Sequence, residues 1–221
     1  MRTSYHEELD SILDRLVHMA ELVEVAIREG AESLLTADLT RAESVISNDV
    51  QLDKMHEEME YKCLSLLALQ APVAGELRII VSAIRVVFEL ARMGDLAVHV
   101  AKIARLRYPN QAVPARFEDS FREMAAIAIE IVRLARVSLQ ERDAKGAEQL
   151  VAIDERMDLL RREQFTMLLG DNSDISIEGA VDVALLGRYF ERFADHAVAV
   201  GRRVIYIITG QVPEGEDWPN A

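Results

Sequence analysis

Three pairs of acidic residues recur at a spacing that places each pair on one face of a helix. The pairs are Asp49 with Asp53, Asp154 with Asp158, and Glu191 with Asp195. Residues four positions apart on a helix are neighbours, and like charges there destabilise the helix by a few tenths of a kcal/mol. A bound cation would offset this repulsion, because carboxylates are ligands for Mg²⁺, Ca²⁺ and Mn²⁺, and for iron when they are clustered. The spacing therefore predicts a cation held between two helices.

The third pair belongs to a pentad that occurs twice. Residues 91–95 read Ala-Arg-Met-Gly-Asp, and residues 191–195 read Glu-Arg-Phe-Ala-Asp. The first copy lacks the leading acid, but His99 follows Asp95 by four residues and is a possible substitute ligand. The predicted metal ligands are Asp49, Asp53, Asp95, His99, Asp154, Asp158, Glu191 and Asp195. The alternative interpretations are solvated acidic faces and a histidine that is simply packed.

Arg92 and Arg192 stand at the second position of each pentad. For these arginines we expect an ion pair with a neighbouring helix, in preference to anion binding. His196 directly follows Asp195 and is expected to point elsewhere on the helix.

The pentads are part of a longer duplication. Asp49 to Asp53 matches Asp154 to Asp158, and the stretch beginning Ala37-Asp38-Leu39 matches the one beginning at Arg142. These segments lie 105 positions apart, whereas the pentads lie 100 apart, so the second copy is shorter by about one helical turn. A period near 100 residues is too long for a solenoid repeat and indicates a duplicated domain.

Apolar residues recur with helical spacing through almost the whole chain. This pattern predicts six helices, at about 5–35, 38–69, 73–107, 116–141, 143–169 and 176–209. The fold class is therefore all-α, with two tandem three-helix bundles related by internal duplication. The predicted modules are residues 1–108 and 114–210, followed by a flexible acidic tail at 211–221.

Composition excludes several classes of function. The net charge of −13 argues against nucleic-acid binding and against binding to anionic lipid. No phosphate-binding glycine loop and no nucleophile elbow is present, and Cys63 falls on an apolar helical stripe. A ferritin-like di-iron site needs Glu-x-x-His on two helices, and the nearest match, Asp53 to His56, has an arginine at its repeat position 161. With no signal peptide and no membrane span in the sequence, we expect a cytoplasmic protein.

Specific residues resemble the PhoU family of bacterial phosphate-transport regulators, and its actinobacterial PhoY-like members in particular. The resemblance rests on Asp49-x-x-Leu-Asp53, on Leu66 to Arg78 with its Gln-Ala-Pro-Val core, and on the two pentads with Ala97 and Ala197. It covers about residues 5–209. The chain departs from the family pattern at Ala91, which replaces an acid, and at His99 and Ala199, where asparagine is common.

The resemblance implies a function as well as a fold. It implies two tandem three-helix bundles, no catalysis, and iron- or zinc-type clusters on the acidic pairs in some members. It also implies a cytoplasmic negative regulator of phosphate-starvation signalling and phosphate uptake. Such a regulator contacts the ATPase subunit of the phosphate ABC transporter and a sensor histidine kinase. A homodimer is expected as well.

Two alternatives to this function stay open. One is a metal-binding or metal-storing bundle that holds iron, zinc or another divalent cation. The other is a purely structural helical adaptor with unrelated partners. Because only Glu191 and Asp195 keep the complete acidic pair of the pentad, any functional asymmetry should favour the second module.

Overall fold

Long α-helices make up almost all of the structure. The computed structural model describes residues 2–170 and 175–212, with side chains from residue 7 onward. Over these ranges the chain forms seven α-helices and no strand. The helices are α1 (Arg2–Thr36), α2 (Leu39–Gln70), α3 (Ala74–Arg107), α4 (Glu118–Glu141), α5 (Ala144–Glu148), α6 (Leu150–Leu169) and α7 (Ile177–Thr209).

The helix boundaries agree with the sequence except at one place. The helix predicted over 143–169 is divided into α5 and α6 at Gln149. The Gln149 N–H bonds to the carbonyl of Gly146, three residues back, so the chain tightens there before α6 begins. Residues 171–174 of the predicted break before α7, and residues 213–221 of the predicted tail, lie outside the described residues.

The duplication extends to the turn that follows the first helix of each module. Ala37 and Arg142, 105 positions apart, both adopt the left-handed conformation, with φ of 50° and 53°. Each is followed by an aspartate, Asp38 or Asp143, whose side chain accepts a backbone N–H from the first turn of the next helix. Aspartate at this position satisfies a backbone donor that the helix itself cannot satisfy. The same local chemistry therefore begins the second helix of both modules.

The six long helices form two three-helix bundles that share one core, which confirms the predicted fold class. Helices α1, α2 and α3 pack together, as do α4, α6 and α7, and the bundles meet where α3 packs on α7 and α1 on α4. A continuous cluster of buried apolar side chains runs through both bundles. Its largest fully buried members are Phe117, Phe121, Phe190 and Phe193.

Helices α3 and α7 run antiparallel along a contact that we call the seam. At one end Arg107 of α3 forms two hydrogen bonds with Asp182 of α7, at 2.5 and 3.0 Å. Asp182 is buried, so its carboxylate loses its hydrogen bonds to water on folding, and the two hydrogen bonds from Arg107 replace them. Further along, His196 Nδ1 lies 2.7 Å from Glu89 Oε2.

A second group of polar contacts joins α1 to α4. Glu24 of α1 is buried and accepts hydrogen bonds from Arg133 at 3.1 Å and Arg136 at 3.2 Å, both on α4. Removing either arginine would leave part of a buried carboxylate without its counter-charge, which is strongly unfavourable. These pairs help to fix the orientation of the two modules.

Two glycines allow helices to approach closely. A Cβ atom on Gly30 of α1 would lie 3.0 Å from the carbonyl oxygen of Ala97 on α3. A Cβ on Gly201 of α7 would lie 2.4 Å from Leu150 Cδ1 and 3.2 Å from the carbonyl oxygen of Ala147. Both glycines fall inside helices, where glycine is otherwise unfavourable, and the close approach of the backbones explains their presence.

Candidate functional site

The structure groups the predicted acidic residues by module. In the first module Asp49 and Asp53 of α2 lie near Asp95 of α3. Burial raises the pKa of Asp49 above its usual value, and the charges of Asp53 and Asp95 raise it further. The carboxylate of Asp49 is therefore close enough to those of Asp53 and Asp95 to be repelled by both.

The second module brings four carboxylates together, two from α6 and two from α7. Burial raises the pKa of Asp154 from 3.8 to about 6, with further contributions from Asp195, Asp158 and Glu191. Burial also raises the pKa of Asp195, followed by the charges of Glu191 and Asp158. One oxygen of Asp154, Oδ1, is buried and has no hydrogen-bond partner. The second module thus has four interacting carboxylates, one more than the first module.

Arginines of the pentads and their neighbours partly neutralise these surfaces. Arg92 donates to Asp95 at 3.1 Å, so the prediction of an ion pair with a neighbouring helix is wrong for Arg92. Arg92 and Asp95 are three positions apart, so their side chains meet on the same face of α3 and form the ion pair within that helix. Arg188 pairs in the same way with Glu191. Arg192 forms no hydrogen bond or ion pair with any described residue.

The two histidines lie at the seam. The ring of His99 stacks on Tyr189 of α7, with centroids 5.2 Å apart and an angle of 27° between the planes. His99 also lowers the pKa of Asp49 slightly, so it is near the carboxylates of the first module. His196 contacts Glu89 of α3 and is also near enough to Asp195 for its charge to lower the pKa of that carboxyl.

The acidic residues have the right chemistry for a cation but not the convergent geometry. Their oxygen atoms suit hard divalent cations, and the unpartnered oxygen of Asp154 is the kind of atom that a metal would satisfy. Among the described side chains, those of residues 7–170 and 175–212, however, no three from His, Cys, Asp or Glu are placed so that they could hold a metal ion. The eight predicted ligands do not form a metal site as they are arranged, and the metal stays a prediction.

Sequence reasoning missed the partners that cross between modules. The buried pair of Arg107 with Asp182 and the contact of Glu89 with His196 join residues that are 75 and 107 positions apart. Helical periodicity assigns each residue to a face but cannot say which distant helix covers that face. The one available signal was an acid, Asp182, near the apolar stripe of the last helix.

Within the described ranges, none of the helices combines the length and the apolar character that crossing a bilayer requires.

With the fold and the acidic faces established, comparison with known proteins identifies the family. The PhoU domain matches the chain twice, at residues 16–104 and 121–204, once in each module. The chain belongs to the PhoU family. The two matches coincide with the two three-helix bundles, so the duplication seen in the sequence is a duplication of the PhoU domain.

PhoU relatives cover the chain almost from end to end. The phosphate-specific transport system accessory protein PhoU homolog 2 of Mycobacterium tuberculosis is 46% identical over 213 residues, which is 96% of this chain and 100% of the relative. Homolog 1 of the same organism is 44% identical over 217 residues, or 98% of both chains. The crystal structure of PhoU from Pseudomonas aeruginosa superposes with a TM-score of 0.86 at 27% identity, covering 94% of this chain and all of that one.

The raised pKa of Asp154 leads to a prediction about pH. Because the folded-state value of about 6 lies above 3.8, folding is favoured by the bound proton at low pH, and this contribution is lost as the pH rises from about 4 to about 6. Asp154→Asn removes the penalty of the buried charge. We expect it to increase the free energy of unfolding at pH 7.5 by about 1–2 kcal/mol, a value reduced for solvent screening, and to have no effect below pH 4.

Urea unfolding of both proteins at pH 4 and pH 7.5 measures this difference. The control is Glu155→Gln, which removes one charge from the neighbouring exposed residue of α6. If Asp154→Asn is no more stable than Glu155→Gln at pH 7.5, neither burial nor the neighbouring carboxylates penalise the charge of Asp154 as described.

Proposed function

We propose that this protein is a cytoplasmic accessory regulator of phosphate transport, which lowers phosphate uptake and phosphate-starvation signalling when phosphate is plentiful. The observation that carries this proposal is the similarity, over nearly the whole chain, to phosphate-specific transport system accessory proteins. Both modules are included in that similarity, so the proposal concerns the protein as a unit. The proposed partners are the ATPase subunit of the phosphate ABC transporter and a sensor histidine kinase.

The surface offers apolar groups for such contacts at the ends of two helical hairpins. In the first module these are Leu69 at the end of α2 and Val73 just before α3. In the second they are Leu169 at the end of α6 and Ile177 at the start of α7. All four side chains are between 72% and 87% exposed. Large apolar side chains grouped in this way are characteristic of protein contact surfaces.

The antiparallel seam places these two hairpin ends at opposite ends of the α3 and α7 pair. The C-terminal end of α3 meets the N-terminal end of α7, as the contact between Arg107 and Asp182 requires. A protein with one apolar contact surface at each end can hold two partners at once. This arrangement supports a role in coupling the transporter to the kinase. The homodimer expected from the sequence is a separate prediction.

Deleting the gene tests this proposal. In a medium rich in phosphate we expect the deletion strain to express phosphate-starvation genes strongly, and the wild-type gene to restore repression. We expect complementation with Ile177→Asn to restore repression only partly, because that change removes an apolar contact group without disturbing the core. Transcript levels of a phosphate-starvation gene measure the response.

Val50→Asn is the matched control, because Val50 is also well exposed, at 69%, but lies in the middle of α2. It should repress as well as the wild type. A deletion strain that keeps phosphate-starvation genes silent in rich phosphate would contradict the proposed function. Equal repression by Ile177→Asn and Val50→Asn would contradict the assigned contact surface.

A second candidate function is cation binding by the acidic face of the second module. The observation that favours it is the buried, unpartnered Oδ1 of Asp154 among carboxylates that repel one another. A divalent cation would relieve both the repulsion and the missing contact, and it would have to draw the side chains of Asp158, Glu191 and Asp195 inward. The first module is less suited, because Ala91 stands at the position of Glu191.

Elemental analysis of protein purified without added metal or affinity tag tests this candidate. We expect iron, zinc or another divalent cation at about one equivalent or more, and a loss of that metal in Asp154→Asn. Protein that contains no metal, and that takes up none on dialysis against these cations, would rule the candidate out.

A further inference from the structure

A cleft at the middle of the seam collects positive charge from both modules. Its lining residues include Arg92 and His99 from α3, and Arg188, Arg192 and His196 from α7, with Leu96 and Tyr189 as apolar walls. The volume of the cleft is about 520 Å³. Arg92 and Arg192 are the second residues of the two pentads, so the antiparallel seam brings the repeated motif to one place.

This concentration of three arginines is unusual in a chain with a net charge of −13. Asp95 is the single carboxylate that lines the cleft, and Arg92 already holds it at 3.1 Å. Glu191 is paired with Arg188, and Glu89 with His196. Asp195 also interacts with Arg188 and His196, but it belongs to the carboxylate face of the second module. Arg192 is left without an ion pair or hydrogen bond among the described residues.

The cleft is also shaped to hold a ligand. Stacking between His99 and Tyr189 fixes one wall, and the contact between His196 and Glu89 fixes the orientation of the second imidazole. Ligand-binding pockets commonly measure about 300–1,000 Å³ and combine apolar walls with a few polar groups of fixed direction. Guanidinium groups bind tetrahedral oxyanions through pairs of parallel N–H donors, which favours phosphate-type ligands.

We propose that the seam cleft binds a phosphate oxyanion, with Arg192 as its principal charged donor and the imidazoles of His99 and His196 at its sides. The guanidinium groups of Arg92 and Arg188 add positive potential while they keep their carboxylate partners. The choice of phosphate among oxyanions rests on the proposed function, whereas the cationic character of the cleft does not. The cleft is larger than a free phosphate ion, so it has room for the phosphate group of a phosphomonoester as well as for inorganic phosphate.

Equilibrium dialysis of the full chain against labelled inorganic phosphate, and separately against labelled AMP, tests this proposal. We expect at least one of the two to bind saturably, and sulfate at equal concentration to displace it poorly. Arg192→Gln should weaken binding about tenfold, as expected for the loss of one charge-assisted hydrogen bond. The Arg192 side chain is exposed, so the midpoint of thermal unfolding of Arg192→Gln should stay at the wild-type value.

The matched control is Arg105→Gln, an exposed arginine of α3 outside the cleft that changes the net charge equally. It should bind like the wild type. Absence of binding of both ligands, equal affinity of the two variants, or equal displacement by sulfate would each overturn the proposal. Association with the transporter ATPase, measured without phosphate, tests the proposed function separately, so a protein that associates but does not bind phosphate refutes only the cleft.

Discussion

The packing of α3 against α7 is the constraint on which the rest of the structure depends. The two helices belong to different modules, yet their buried side chains form part of one core. Burial of apolar side chains supplies most of the stabilisation, but apolar contacts are not directional and do not by themselves fix the orientation of one module on the other. Directional contacts between the modules come from three polar groups. They are the bidentate pair of Arg107 with Asp182, the contact of Glu89 with His196, and the buried Glu24 beside two arginines. Buried charges stay in place only when their partners do, so these pairs fix how one module sits on the other.

Most of the fold could be predicted from the sequence because helical periodicity and turn chemistry are local. The repeated Ala37-Asp38 and Arg142-Asp143 turns separate the first two helices of each module, and Gly210 in the left-handed conformation ends α7. The division between α5 and α6 was missed, since a tightened turn at Gln149 leaves no mark in the apolar pattern. The grouping of carboxylates within each module was also predictable. The seam partners were not, because the sequence assigns faces to helices but not neighbours to faces.

The comparison of the two modules shows how a duplicated domain can carry different chemistry on equivalent positions. Glu191 and Asp195 keep an acidic pair where the first module has Ala91 and Asp95. His99 has no counterpart in the second module, where Ala199 occupies the equivalent position. The ring of His99 lies at the seam and stacks on Tyr189. The acidic faces therefore differ in strength, while the arginines that both pentads retain converge on one cleft. The seam is both the joint between the modules and the place where their shared motif meets.

The two modules are expected to unfold as one cooperative unit, and differential scanning calorimetry of the full chain measures this directly. A shared core and buried ion pairs across the seam predict a single unfolding transition in which the calorimetric enthalpy equals the van't Hoff enthalpy. Two resolved transitions, or a calorimetric enthalpy well above the van't Hoff value, would mean that the modules unfold separately. The seam would then not hold the modules in the arrangement on which the cleft and the opposed contact surfaces depend.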